Sequence, residues 1–219
     1  CLITDAAFAS ASFTRGIGRT AFSRATFTAI TGGTVAGVSA SNVLTNAGSI
    51  SVLANASAIA PKVTVVGSNS SNHATFPFVD ADATIGVGIG QNATAFASGT
   101  TLAVTAGGTV FTYAGTANAS NSLSNSGSIT VGAMATATGA NASALAHVGR
   151  GIAQNAQAGG ATIPVFPTPI VLGGTSDHAS NTLTNSAAGV ITVGAVANAN
   201  GGQFALGTAG VGAGIDQEA

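Results

Sequence analysis

The 219-residue sequence predicts an all-β fold, a parallel β-solenoid (β-helix) of about three long repeat units. Three observations lead there: landmarks that recur in fixed order at long period, strict two-residue alternation after one of them, and a surface kept wet by Ser, Thr, Asn and Gln in place of charge. An antiparallel β-sandwich or prism with three related sheets fits the unit length equally, and the sequence leaves both open.

Composition comes first because it removes whole classes. Only 5% of residues are charged, against about 25% in ordinary globular proteins. With 46% hydrophobic residues and a net charge of −1, the chain lacks the low hydrophobicity and high charge of disordered segments. Five basic residues, three of them Arg15, Arg19 and Arg24, are too few for a nucleic-acid footprint. Ser, Thr, Asn or Gly interrupt every apolar run, so no helical transmembrane segment is expected.

The landmarks carry the repeat. A Gly-Ile step occurs at Gly16-Ile17, Gly88-Ile89, Gly151-Ile152 and Gly214-Ile215, defining units of 72, 63 and 63 residues. A Gly-Gly-Thr step follows at 32–34, 107–109 and 173–175. The third and most specific landmark is Ala-Ser-Asn-x-Leu-x-Asn, beginning at Ala40, Ala119 and Ala179. The division that results is an N-terminal arm or cap over 1–15 and one repeat domain over 16–219, with units 16–87, 88–150 and 151–213 and the start of a further unit at 214–219. A 63-residue unit divides into about three coils of roughly 21 residues, within the range of stacking repeats.

After each third landmark the sequence alternates, as in Gly48-Ser49-Ile50-Ser51-Val52-Leu53-Ala54-Asn55-Ala56-Ser57-Ala58. Period two is the pattern of a half-buried strand, and β-branched residues between Ser, Thr and Asn supply no helical stripe. The inward residues are often alanine, so the core is expected to be thin.

Within the third landmark, Asn42, Asn46, Asn121, Asn125, Asn181 and Asn185 recur at fixed positions. Amides repeated once per unit can stack into a hydrogen-bonded ladder, or can simply serve turns. The glycine that follows suits a tight corner at positive φ. The segments Leu44-Thr45-Asn46-Ala47-Gly48-Ser49-Ile50 and Leu123-Ser124-Asn125-Ser126-Gly127-Ser128-Ile129 resemble the Leu-x-Asn-x-Gly-x-Ile coil of bacterial β-helical surface adhesins, the autotransporter passengers and filamentous-haemagglutinin-like proteins. The third copy departs from it: Leu183-Thr184-Asn185-Ser186-Ala187-Ala188-Gly189-Val190-Ile191 has two more residues between Asn and Ile, which implies a bulge or wider turn. The resemblance covers roughly a third of the chain and implies a bacterial, extracellular or cell-surface protein.

A stack of strands has open ends that invite pairing. Gly214, Ile215 and Gln217 form the expected assembly end, where a second copy continues the stack as a homo-oligomer or homopolymer. At the other end Phe8, Phe13, Phe22 and Phe27 interleave with the three arginines, as a docking arm or as an aromatic plug. Cys1 occupies the place of a lipid-bearing first residue, or marks an arbitrary boundary. Two proline-bearing insertions, Pro61 to Ala83 and around Pro164, Pro167 and Pro169, are expected at edges or surface loops, where recognition of a surface glycan would sit.

Candidate chemistry is thin. Asp80 and Asp82, at i and i+2 of an extended stretch, are weak candidates for half a metal site or a carboxylate pair, and no third acid lies nearby. His73, His147 and His178 sit in unlike contexts. No catalytic residue, cofactor or metal is expected. The sequence therefore points to a non-enzymatic structural protein that self-assembles head to tail into a surface filament or matrix, with a cell-surface adhesin binding carbohydrate or surfaces through its loop insertions as the alternative.

Overall fold

A computed structural model describes residues 7–29, 37–60, 78–105, 108–112, 116–160, 162–163, 170–171 and 177–219. Every regular element among them is a strand: β1 Ala7–Ala29, β2 Val38–Asn46, β3 Ser49–Ile59, β4 Phe78–Thr105, β5 Gly108–Thr112, β6 Ala117–Asn125, β7 Ser128–Gly160, β8 Thr162–Ile163, β9 Ile170–Val171, β10 His178–Asn185 and β11 Val190–Glu218.

The pairings that join the repeat units are all parallel. One sheet has the order β1-β4-β7-β11, with β3 also pairing with β7, and a second has the order β10-β6-β2. Antiparallel pairing among the described residues is confined to β4 with β5 and β8 with β9. β7 and β11 each serve two units in turn. Residues 128–138 of β7 pair with β3, and 141–160 pair with β4. Likewise 190–201 of β11 pair with 128–139, and 204–218 pair with 141–155, across a register shift between Gly201 and Phe204.

The registers align the landmarks. Ile17, Ile89, Ile152 and Ile215 are successive partners, as are Asn42, Asn121 and Asn181. Each landmark thus lies one strand away from its own next copy, so a unit is a single layer. The expected division of a unit into three short coils is incorrect: the alternating tracts run as long strands that bend, and they do not turn back every twenty or so residues.

Alternation places alanine inside. Ala54, Ala56, Ala58, Ala81, Ala83, Ala133, Ala135, Ala137, Ala142, Ala144 and Ala146 share one buried cluster with Ile85, Ile89, Leu123, Ile129, Val131, Val148 and Ile152. A second cluster holds Ala93, Ala95, Ala97, Ala117, Ala119 and Ala156. Burying a methyl contributes only about 0.8 kcal/mol, so this thin core accumulates its stability from many small contacts and from the ladders between strands.

Alternation breaks at Gly86-Val87-Gly88, where Val87 would face inward by count yet reaches the surface. The long strands pinch here. A Cβ on Gly88 would stand 2.6 Å from both methyls of Val131 and from the Gly151 carbonyl oxygen, and Gly16 and Gly151 meet Val52 and Val193 in the same way. The Gly-Ile step is therefore the point where a valine from the facing strand presses on bare backbone.

The Asn-x-Gly corners have a different cause from the one expected. None of Gly48, Gly127 and Gly189 takes a left-handed φ. Instead a Cβ on Gly127 would collide with the Gly48 carbonyl oxygen, and one on Gly189 with Asn185 Oδ1, so close stacking excludes a side chain at these two. In the third copy residues 187–188 form a turn, closed by Gly189 N–H on the Ser186 carbonyl at 2.9 Å, the wider corner that its two added residues imply.

Candidate functional site

The recurrent asparagines are stacked as amide columns. Asn42 Nδ2 donates to Asn121 Oδ1 at 3.0 Å, and Asn121 Nδ2 to Asn181 Oδ1 at 2.8 Å. Asn46 Nδ2 donates to Asn125 Oδ1 at 2.7 Å, and Asn125 Nδ2 to Asn185 Oδ1 at 2.7 Å. The first column also braces the core, because Asn42 and Asn121 donate to the carbonyls of Asn92 and Asn155, and Asn181 donates to that of Glu218. Each of these acceptors belongs to the following layer. The second column lines the corner: Asn46 accepts from Gly48 N–H at 3.2 Å and donates to Ser128 O at 3.0 Å.

A third column was not foreseen as a ladder. Gln154 Nε2 donates to Gln91 Oε1 at 2.7 Å, and Gln217 Nε2 donates to Gln154 Oε1. Gln91 and Gln154 are buried, and each also donates across the core, to Ser122 O at 3.1 Å and Thr182 O at 3.2 Å. Arg19 is the register partner of Gln91 and donates to Val43 O, the carbonyl equivalent to those of Ser122 and Thr182. The signal was the residue two places after each Gly-Ile step; Arg in the first copy concealed it.

The remaining expected residues are dispersed. Asp80 and Asp82 lie on β4, not in a loop, on the face opposite buried Ala81 and Ala83, and Asp82 Oδ1 accepts from Thr84 Oγ1 at 2.9 Å. Among the described residues no three His, Cys, Asp or Glu side chains come together as metal ligands. Gly214, Ile215 and Gln217 lie on β11 at the outer edge of its sheet. Phe8 and Phe22 are 71% and 64% exposed, so neither plugs the core, and Phe13, in register with buried Ile85, is itself 45% exposed. Cys1, His73, the Pro61 and Pro77 portion of the first insertion, and Pro164, Pro167 and Pro169 fall outside the described residues. No helix among the described residues is long and apolar enough to cross a membrane.

The solvent side of the bend carries a groove. Its lining includes three rows of residues in register, Arg15, Val87 and Arg150, then Gly90, Ala153 and Asp216, then Asn92, Asn155 and Glu218. Within each set the residues come from successive layers, so the groove crosses the strands along the stacking direction. Four of the chain's few charged side chains gather here. Arg150 and Asp216 pair at 3.3 Å, both about half exposed, and Asn155 Nδ2 donates to Glu218 Oε2 at 3.3 Å. Arg15 lies over Gly90, whose Cβ would be 3.3 Å from its Nε. Asn155 Oδ1 is buried and has no hydrogen-bond partner among the described residues.

Set against models of known protein families, curated proteins and solved structures, the chain matches none of them.

Proposed function

We propose that the chain is a β-solenoid segment with a structural, non-catalytic role at or outside the surface of a bacterial cell, assembling head to tail into a filament or matrix with a second copy as its neighbour. What supports this reading most is the Gln column. Its rungs donate toward the preceding layer, from Gln217 to Gln154 to Gln91, and Gln217 Oε1 at the outer edge has no partner among the described residues. Arg19, at the opposite edge, is a side chain that only donates. A second copy adding its β1 beyond residues 204–218 sets Arg19 as the next rung, with its donors toward Gln217 Oε1.

Charge agrees with the pairing. β1 carries Arg15, Arg19 and Arg24 and no acid, whereas β11 carries Asp216 and Glu218 and no base. Opposite charges at two meeting edges favour the correct encounter and make it sensitive to salt. At the β11 edge, β10 and the 190–201 leg lie one layer behind the 204–218 leg. Copies therefore meet along one sheet edge, and the junction is weaker than the contact between units.

Negative-stain electron microscopy over a concentration series tests the reading, with a variant lacking residues 214–219 beside the intact chain. Filaments of uniform width that disappear in the deletion support it. Dispersed elongated particles in both samples overturn it.

A further inference from the structure

The outward face of β3, of 128–138 in β7 and of 190–200 in β11 carries a ridge beside a trough. In register across these strands stand Leu53, Gly132 and Gly194 in one row and Asn55, Met134 and Val196 in the next. Both rows point away from the alanine core, and Leu53, Met134 and Val196 are each about half exposed. Met134 and Val196 rise side by side as the ridge. The glycines leave the trough, open at Gly194, where an added Cβ would meet nothing within 4 Å, and partly roofed at Gly132 by Leu53 Cδ2, 3.1 Å from the place of a Cβ. Ridge and trough lie two residues apart along the strands, about 6.6 Å.

An apolar ridge left in water marks a contact surface. Its shape says what covers it. A two-fold axis running along the stack between the two rows turns each ridge onto the trough of a second copy and keeps both stacks pointing the same way. Val196 then enters the open slot at Gly194 of the second copy, and Met134, an adaptable side chain, lies against Leu53 over Gly132. Side chains at strand spacing, about 4.8 Å, meet partners at the same interval, as in paired sheets that interdigitate. No charged residue occurs in 49–59, 128–138 or 190–200, so two such faces do not repel each other.

Area decides when the contact forms. Eleven residues at about 3.3 Å by three strands at about 4.8 Å give about 500 Å². A stable interface takes roughly 800 Å² per partner, so one copy holds another only weakly through this face. A head-to-tail filament presents the face again with every copy, and contacts in a row add as avidity. The 204–218 leg adds one level without a strand on this face, so the face recurs every four strand spacings, about 19 Å, in both filaments alike.

We propose that filaments of this chain pair laterally and in parallel through this face, with Val196 of each copy seated at Gly194 of the other. The inference rests on the head-to-tail reading and supplies the step from filament to matrix.

The test is negative-stain electron microscopy of filaments grown separately from the parent, Val196→Lys and Gly194→Glu chains. Val196 is exposed and Gly194 has open space above it, so both variants keep the fold, which circular dichroism verifies. The parent is expected to form paired filaments. Each variant is expected to form narrower single filaments, with paired segments reduced at least about tenfold, because pairing would bury an uncompensated charge. Mixing the two preformed variant filaments is expected to restore pairing: the new carboxylate faces the new ammonium, and the second Val196–Gly194 contact stays native. Single filaments in the parent, pairing in the variants equal to the parent's, or no recovery on mixing overturns the lateral contact and leaves the head-to-tail reading standing. Dispersed particles in every sample overturn the head-to-tail reading, and the lateral contact with it.

Discussion

Gln154 donates to Gln91 across 2.7 Å of space and 63 residues of chain, inside a core whose other occupants are mostly alanine. The bond is one rung of a column in which every middle member is both donor and acceptor. An amide suits that place because it carries both functions at the end of one apolar stem. A carboxylate does not.

Gln154→Glu should therefore make stability fall with rising pH. A protonated carboxyl can still donate to Gln91 Oε1 and accept from Gln217, but burial resists ionisation and raises the folded-state pKa above about 4.3, the unfolded value. The folded state then holds its proton longer than the unfolded one. Below about pH 4.3 the variant keeps most of its stability, and above it loses up to about 1.4 kcal/mol per pH unit until the folded group ionises. Urea unfolding at about pH 4 and pH 7.5 measures this, and an equal deficit at both would mean that water reaches the column.

Gly88→Ala places a methyl against Val131 and the Gly151 carbonyl, each 2.6 Å away. Overpacking of this kind costs about 1–3 kcal/mol. Gly194→Ala has open space around it and should stay within about 0.5 kcal/mol of the parent. Thermal unfolding of the two variants separates close approach from a general intolerance of alanine.

Asn125→Ala removes donations to Asn185 Oδ1, Gly127 O and Val190 O and takes one acceptor from the Nδ2 of Asn46, which keeps Ser128 O. With Asn125 only 1% exposed, a loss of at least about 2 kcal/mol is expected. Asn185→Ala, at the exposed end of the same column, should cost less than about 1 kcal/mol. Equal losses in denaturant unfolding would show that the column is not cooperative with the core.

Arg19→Gln should fold as well as the parent, or better by about 0.5–1.5 kcal/mol. Glutamine keeps the donation to Val43 O and adds an acceptor facing Gln91, completing a rung that arginine leaves unmade. A marked loss of melting temperature would mean that Arg19 is held by something other than the column.

How far the sequence reveals this arrangement depends on how local each feature is. Alternation at 48–58 and 127–137 discloses strands and an alanine core directly, because the pattern and the burial share one strand. The asparagine columns are legible because six identical residues keep one spacing from Leu44, Leu123 and Leu183. The Gln column is not, because Arg19 and Gln91 do the same work on a neighbouring carbonyl while looking unrelated. The three-coil division fails because alternation does not reveal a bend, and Gly86 to Gly88 turns the chain without ending the strand. The groove is beyond sequence reading altogether: its walls come from four layers, and only the register of β1, β4, β7 and β11 brings Arg15, Arg150 and Glu218 to one surface.

One layer takes 63 residues between Ile89 and Ile152 yet advances the stack by only one strand spacing, about 4.8 Å. Such a molecule is an expensive spacer and a generous wall. Most of its mass goes into girth, so each duplication of a unit widens the displayed area along a line and hardly lengthens its reach. Multiplying such units adds coverage, a continuous sheeted flank with few charges, more readily than it adds length.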